Sequence, residues 1–294
     1  MTDVYSAIEQ IVAANDFAVM TVCEVLQVSR SAYYAWCDDQ PAVREVRDDQ
    51  LRPLVRDIFW EHQRRYGARR VAFELRQRGE PCGVERAAKL LNSAGLKAIQ
   101  PKSFKPRTTD SRHRLGYSPN LIFNADDPLR LNELWVADIT YVPLADGSFA
   151  DLALIMERCS RKIIGWELAE ELTLSVLRSA IRQRQPTGDL IHHSDRGGQY
   201  AGTNYRAVLR RAHLCQSMSR AGNCYDNAVM ESCFGTIKTE LEMTDYESIA
   251  AARREIATYI AYDNNSRRHS SLEYLTPTEF ELNMRAKNSD SHCP

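Results

Sequence analysis

No run of 18 apolar residues occurs in this chain of 294 residues, so no segment is long enough to span a bilayer as a helix. The opening stretch, MTDVYSAIEQ, is acidic and lacks the basic-then-apolar order of a secretory leader. An intracellular, cytoplasmic protein is therefore expected. Paired cysteines are missing as well. Cys23, Cys37, Cys82, Cys159, Cys215, Cys224, Cys233 and Cys293 contain no Cys-x-x-Cys pair, and His62 is the lone histidine of the first 100 residues. A structural zinc site needs clustered Cys and His, so zinc is disfavoured and reduced thiols are expected. Neither sign of charge is in excess, since the formal net charge is −1. No internal repeat or low-complexity tract stands out.

That near-zero charge conceals an asymmetry. Residues 40–115 carry 18 Lys+Arg against 9 Asp+Glu, whereas residues 1–39 carry 1 against 6 and residues 116–294 carry 19 against 24. A basic block of this kind has two readings, a footprint for a phosphate backbone or a set of solvated helical faces.

The hydrophobic pattern changes along the chain. Helical spacing runs through 7–16 and 21–36, broken near Ser29, then through 51–79, broken at Tyr66-Gly67, and through 84–96. Two short helices and a turn are compatible with helix-turn-helix. Pro101, Pro106, Pro119 and Pro128 mark residues 100–130 as a linker. Strand-like runs follow at 134–144, 149–157 and 161–169, then a helix near 172–184, a strand at 190–193, a helix near 203–212 and a strand at 214–218. A helix within 226–241, one at 246–262 and a last one opened by Pro277 complete the pattern. The predicted class is α/β, a mixed sheet with packed helices, preceded by all-α modules of helix-turn-helix type. The expected divisions are 1–40, 41–99, the linker 100–130, a core at 131–245 and a helical, basic extension at 246–294.

Three carboxylates occupy the informative places. Asp138 lies inside LWVADITYV, Asp195 ends LIHHSD before a Gly-Gly turn, and Glu231 lies in DNAVMESCFGTIKTEL. Asp138 precedes Asp195 by 57 positions, and 35 residues separate Asp195 from Glu231. Burying an unpaired carboxylate is costly, so three in such settings suggest a shared cation. Oxygen-only ligands select Mg²⁺ or Mn²⁺, and two-metal phosphoryl transfer on a nucleic acid is the expected chemistry. Asn227, Glu231, Phe234 and Lys238 share one helix face by their spacing. Lys238 is placed to reach a phosphate or is an ordinary surface lysine. His193 either orients Asp195, touches substrate or is structural. Gln199 and Tyr200 are candidate DNA contacts, and Trp135 reads as core rather than as a stacking platform.

WVADITYV, HHSDRGGQY and SMSRAGNCYDNAVMESCFGTIKTEL resemble the catalytic core of bacterial insertion-sequence transposases, the second-reading-frame enzymes with a DDE, retroviral-integrase-like core. Asn264-Asn265, Arg267, Arg268, His269, Ser270, Leu272, Thr276-Pro277 and Phe280 fit the same family, as do YGARRV (66–71) and VSRSAYYAW (28–36). Asp263 departs from the aromatic or amide residue expected there. The resemblance implies a ribonuclease-H-like fold and two Mg²⁺ ions in the active site, Asp138 bridging both, Asp195 holding one and Glu231 the other. It implies strand cleavage at element ends followed by strand transfer to target DNA, with phosphate contacts expected from Arg64, Arg65, Arg69, Arg70, Arg267, Arg268 and His269. His193 and Asn227 are supporting residues. A homo-oligomer on DNA is expected, an upstream-frame partner protein is plausible, and the location is cytoplasmic and nucleoid-associated. The rival functions are a non-catalytic DNA-binding regulator and an RNase-H-fold nuclease.

Overall fold

The apolar runs within 134–143 and 149–157 form two neighbouring interior strands of the fold. In the computed structural model, which describes residues 2–15, 17–37, 43–100, 116–169, 174–220, 227–243 and 245–290, the chain divides into two units, 1–97 and 98–294.

The first unit is helical. Helices α1 (Thr2–Asn15), α2 (Val19–Val25) and α3 (Arg30–Cys37) bury Ile8, Val22, Cys23 and Tyr33 together. Helices α4 (Val43–Glu61), α5 (Ala68–Gln77) and α6 (Val84–Ser93) bury Leu51, Val55, Ile58, Val71, Leu75 and Leu90. Full burial of each such side chain contributes roughly 1.5–3 kcal/mol. Gly79 and Gly95 end α5 and α6 at φ of 79° and 66°. Their left-handed backbone lets Glu80 N donate to Leu75 O at 2.9 Å and Leu96 N to Leu91 O at 2.9 Å. Helix α4 extends eight residues before the apolar run at 51, and Val43 and Val46 of its first turns stay exposed.

The second unit holds strands β1 (Leu134–Pro143), β2 (Phe149–Glu157), β3 (Ile163–Ala169), β4 (Ile191–Ser194) and β5 (Cys215–Met218), in the spatial order β3-β2-β1-β4-β5. The first three are antiparallel, while β4 and β5 run parallel to β1. The mixed sheet and helices expected from the pattern are present. Helix α7 (Leu174–Arg184) joins β3 to β4, and α8 (Gly198–Ala201) and α9 (Thr203–Arg211) join β4 to β5. Trp135, Ala137, Ala153 and Ile155 pack with Leu177, Tyr205 and Leu209 on one face. Gly165 of β3 allows the approach of α7, since a Cβ there would stand 3.1 Å from Val176 Cγ1 and 3.2 Å from Val176 O. On the other face Leu134, Val136, Leu152 and Leu154 pack with Met230, Phe234 and Ile237 of α10 (Ala228–Glu240) and Ile256, Tyr259 and Ile260 of α11 (Ile249–Asn265).

Both sheet edges are covered. The Asn264 side chain closes β3, accepting from Ile163 N and donating to Ile163 O, both at 2.9 Å. At β5, Met218 N donates to Pro119 O at 3.3 Å and Leu121 N to Ser217 Oγ at 2.9 Å. Residues 116–123, expected within the linker, are thus a strap on the sheet; residues 101–115 lie outside the described set. A proline-rich stretch builds no element of its own, yet its remaining backbone groups still find partners on an open edge.

The C-terminal helices belong to the same body. Helix α12 (Pro277–Asp290) starts with a reciprocal cap: Glu279 N donates to Thr276 Oγ1 at 3.1 Å and Thr276 N to Glu279 Oε2 at 2.8 Å. Its buried Glu281 accepts from both terminal nitrogens of Arg184 on α7 and from Ser160 Oγ at 2.8 Å.

Candidate active site

Side chains alternate along β1, so Asp138 follows Leu134 and Val136 onto the face covered by α10. Its carboxylate Oδ1 accepts from Ile139 N at 2.8 Å. Strand β4 lies beside β1 with Leu134 opposite Ile191 and Val136 opposite His193, a register offset of 57 residues. That offset equals the sequence separation of Asp138 and Asp195, which brings Asp195 level with Asp138 just past the end of β4. Neighbouring strands lie about 4.8 Å apart. The two acids are therefore adjacent.

The Asp195 carboxylate folds back over its own turn, where Oδ1 accepts from Gly197 N at 2.9 Å. A Cβ on Gly197 would stand 3.0 Å from that oxygen. Gly197 has φ −58° and ψ 141°, so its lack of a side chain serves this close approach and not a left-handed turn. Glu231 occupies the first turn of α10 and is exposed. Asn227 caps that helix without bonding to it; its side chain is buried and donates to Ala137 O at 3.5 Å, next to Asp138. Asn227 Oδ1 is buried with no hydrogen-bond partner.

Electrostatics report the convergence. The Asp138 carboxyl is pushed from 3.8 up to about 8 by burial first, then by the negative charge of Asp195 and by that of Glu231, against the Ile139 N–H bond. Among the described residues no three His, Cys, Asp or Glu side chains stand close enough to share one ion. The acids adjoin without closing into a cage.

Other expected residues have varied places. Lys238, two turns beyond Glu231, is half-buried, and burial lowers its ammonium pKa. In the first unit Arg64 and Arg65 lie in the turn between α4 and α5, and Arg69 is exposed on α5. The Arg70 guanidinium lies 5.4 Å from the Tyr66 ring centre. Both ring nitrogens of buried His193 meet hydroxyls, Nδ1 to Ser217 Oγ at 2.8 Å and Nε2 to Ser219 Oγ at 3.1 Å. Trp135 is core, its Nε1 donating to Glu157 Oε2 at 3.1 Å.

Two expectations need correction. Tyr200 is 2% exposed and packs beside His192 and Tyr205, so it offers DNA no ring. The Arg267–His269 cluster is an internal knot. Arg267 is 6% exposed and grips Glu240 of α10, with Nε 3.0 Å from Oε1 and 2.9 Å from Oε2, and Nη2 2.7 Å from Oε1. Asp263 Oδ1 lies 3.5 Å from Arg267 Nη1 and 3.3 Å from His269 Nε2. Arg268 pairs with Glu279 at 2.6 Å. The acid at 263, unexpected from the motif, supplies negative charge to this knot. Local basic spacing cannot reveal carboxylates contributed by another helix.

Ser217, Ser219 and Arg196 went unnoticed in the sequence. The signal for the two serines was the alternation Ser-Met-Ser (217–219), which sends both hydroxyls to one side; Arg196 carried none.

An integrase core domain family matches residues 128–224, a second integrase core domain model matches 213–277, and an HTH-like domain matches 46–104. The chain is 38% identical over 269 residues to the uncharacterized 31 kDa protein of insertion element IS600 from Shigella sonnei, covering 88% of this chain and 97% of that protein. It is 35% identical over 277 residues to the transposase InsF of insertion sequence IS3A from Escherichia coli (strain K12), covering 90% and 94%. An HTLV-2 integrase catalytic core aligns at TM-score 0.42 and 14% identity over 52% of this chain and 98% of that one, too loosely to carry weight.

Proposed function

Because the chain belongs to the integrase-core transposases of insertion sequences, and is therefore a DNA transposase, we propose that Asp138, Asp195 and Glu231 are its catalytic carboxylates. One observation carries the assignment: the Asp138 carboxyl is raised to about 8 by burial together with the charges of the other two acids. A structural acid in such a setting is normally paired with a base; a self-repelling, all-oxygen set suits a hard divalent cation. Asp138, Asp195 and Glu231 would hold Mg²⁺ or Mn²⁺, two ions per site, and the bound ions would stabilise charge on the attacking and leaving oxygens of an in-line displacement.

The protein's own groups position the reactants. Asp138 is held by the Ile139 N–H and Asp195 by the Gly197 N–H, so both carboxylates keep a fixed aim. Asn227 ties the first turn of α10 to β1 and so sets the approach of Glu231 to Asp138. Water attacks phosphorus at the element end, the P–O bond to the 3′ oxygen breaks, and a 3′-hydroxyl is released. That hydroxyl then attacks a target phosphodiester, one P–O bond forming as another breaks, so no external energy source is needed. Lys238 contacts a phosphate near the acids. Arg64, Arg65, Arg69 and Arg70 of the HTH-like region bind the DNA backbone. Arg267, buried against Glu240, is not part of this surface.

Two ends must be processed, so the enzyme assembles as a homo-oligomer on DNA, and an upstream-frame protein is a further partner. Among the described residues no helix is long and apolar enough to cross a membrane; a cytoplasmic, nucleoid-associated enzyme follows from its substrate. The test uses DNA carrying the element's own terminal repeats with Mg²⁺ or Mn²⁺. Asp138→Asn, Asp195→Asn and Glu231→Gln should abolish nicking and joining while leaving end binding intact. Full nicking by any of the three overturns the assignment.

A further inference from the structure

Ser217 lies opposite His193 across the β4–β5 ladder, and Ser219 follows two residues later on the same side. Between them sits the His193 ring, bonded at both nitrogens. His193 and Ser217 are fully buried and Ser219 is 6% exposed. The hydrogen-bond chain continues in both directions. Leu121 N, in the strap of residues 116–123, donates to Ser217 Oγ at 2.9 Å. Ser219 Oγ donates to Ser194 O at 3.4 Å, a carbonyl that also accepts from Ser219 N at 2.9 Å. Ser194 immediately precedes Asp195.

Each hydroxyl has one proton and a neutral imidazole has one N–H, and these limits orient the chain. With the Ser219 proton directed at Ser194 O, Ser219 accepts from His193 Nε2–H. The Nδ1 atom is then bare and accepts the Ser217 proton, while Ser217 Oγ accepts from Leu121 N–H. All donors then point from the strap toward the Asp195 turn, the arrangement in which successive bonds reinforce one another. The opposite tautomer directs Nδ1–H at Ser217 and the Ser219 proton at Nε2, which removes the hydroxyl bond to Ser194 O. Arg196, on the far side of Asp195, donates from Nε to Ser219 O at 2.7 Å, and its guanidinium lies 4.7 Å from the ring centre of Tyr117 in the strap. The turn is thus tied to the strap from both sides.

We propose that His193 is a positioning residue whose ring carries a one-way hydrogen-bond chain from the strap backbone at Leu121 to the Ser194 carbonyl, fixing the turn that presents Asp195. The proposal rests on the catalytic reading of Asp195. It makes the docked strap, which is the sheet-bound end of the segment leading into this unit, a condition for an aligned active site.

The test compares full-length wild type, Ser217→Ala, Ser219→Ala and the double variant on element-end DNA, with Asp138→Asn in parallel. Each single variant should cleave roughly tenfold more slowly with end binding unchanged, and the double variant should be no slower than either single, because all three break one chain. Two independent structural losses would multiply instead, and that result overturns the proposal. So does a single variant that cleaves at the wild-type rate while Asp138→Asn is dead; cleavage by Asp138→Asn condemns the catalytic reading itself. A measurement on the wild type guards against variants that fail to fold. Long-range ¹⁵N–¹H spectra should show His193 protonated at Nε2 and bare at Nδ1, and the reverse tautomer or a doubly protonated ring overturns the proposal.

Discussion

Replacing Asp138 by Asn should stabilise the second unit at alkaline pH without metal, although it should abolish catalysis. The folded carboxyl titrates at about 8 against 3.8 for an unperturbed aspartate. The folded state therefore binds this proton more tightly than the unfolded chain does. Wild-type stability is full below pH 3.8 and is lost as pH rises toward 8, after which the penalty is constant. A full shift of that size corresponds to about 6 kcal/mol. Partial solvent access to the carboxyl reduces the expected gain to about 2 kcal/mol. Asn keeps the shape, can still accept from Ile139 N and never ionises. Calorimetric melting in EDTA should put the variant's second-unit transition roughly 4–8 °C above wild type at pH 9, and the two should converge only as the pH falls below the unperturbed value of 3.8. Mg²⁺ or Mn²⁺ should raise the wild-type midpoint at pH 8 and leave the variant's unmoved. Equal differences below pH 3.8 and at pH 9, or a wild type indifferent to metal, would refute the idea that three negative groups share this cleft.

Gly197→Ala sets a methyl 3.0 Å from Asp195 Oδ1; cleavage should drop at least tenfold as the carboxylate turns away, with a stability loss of about 1 kcal/mol visible in urea titrations. Arg267→Ala leaves Glu240 buried without its partner, so chemical denaturation should show a loss of about 3–5 kcal/mol, whereas the salt dependence of end binding should stay as in wild type. Arg69→Ala should do the reverse, with unfolding unchanged and the slope of log affinity against log salt reduced by about 0.9; an unchanged slope removes Arg69 from the interface. Asn264→Ala unties the β3 edge at Ile163 and should cost about 1–3 kcal/mol, with faster amide exchange at Ile163 as the local reading.

Much of the fold was legible because short apolar runs and helical repeats of apolar residues are local properties of the chain. The strands at 134–143, 149–157 and 163–169 and the helices at 174–184 and 228–240 follow that pattern. The meeting of Asp138 and Asp195 was legible as well; the parallel register of β1 with β4, which turns 57 residues into adjacency, was not. The docking of the strap was not legible, because composition records what a segment cannot build and says nothing about which edge its backbone will bind.

By itself, the order of residues determined which segments extend or coil, where the acids fall within them, and which transposase family the chain resembles. Tertiary structure alone decided which charges reach solvent. Arg69 and Arg267 look alike in the sequence, yet Arg267 is engaged by Glu240, 27 residues away, and closed off from water. Burial and pairing depend on what folding brings alongside, and a side chain's own neighbours in the chain do not specify that.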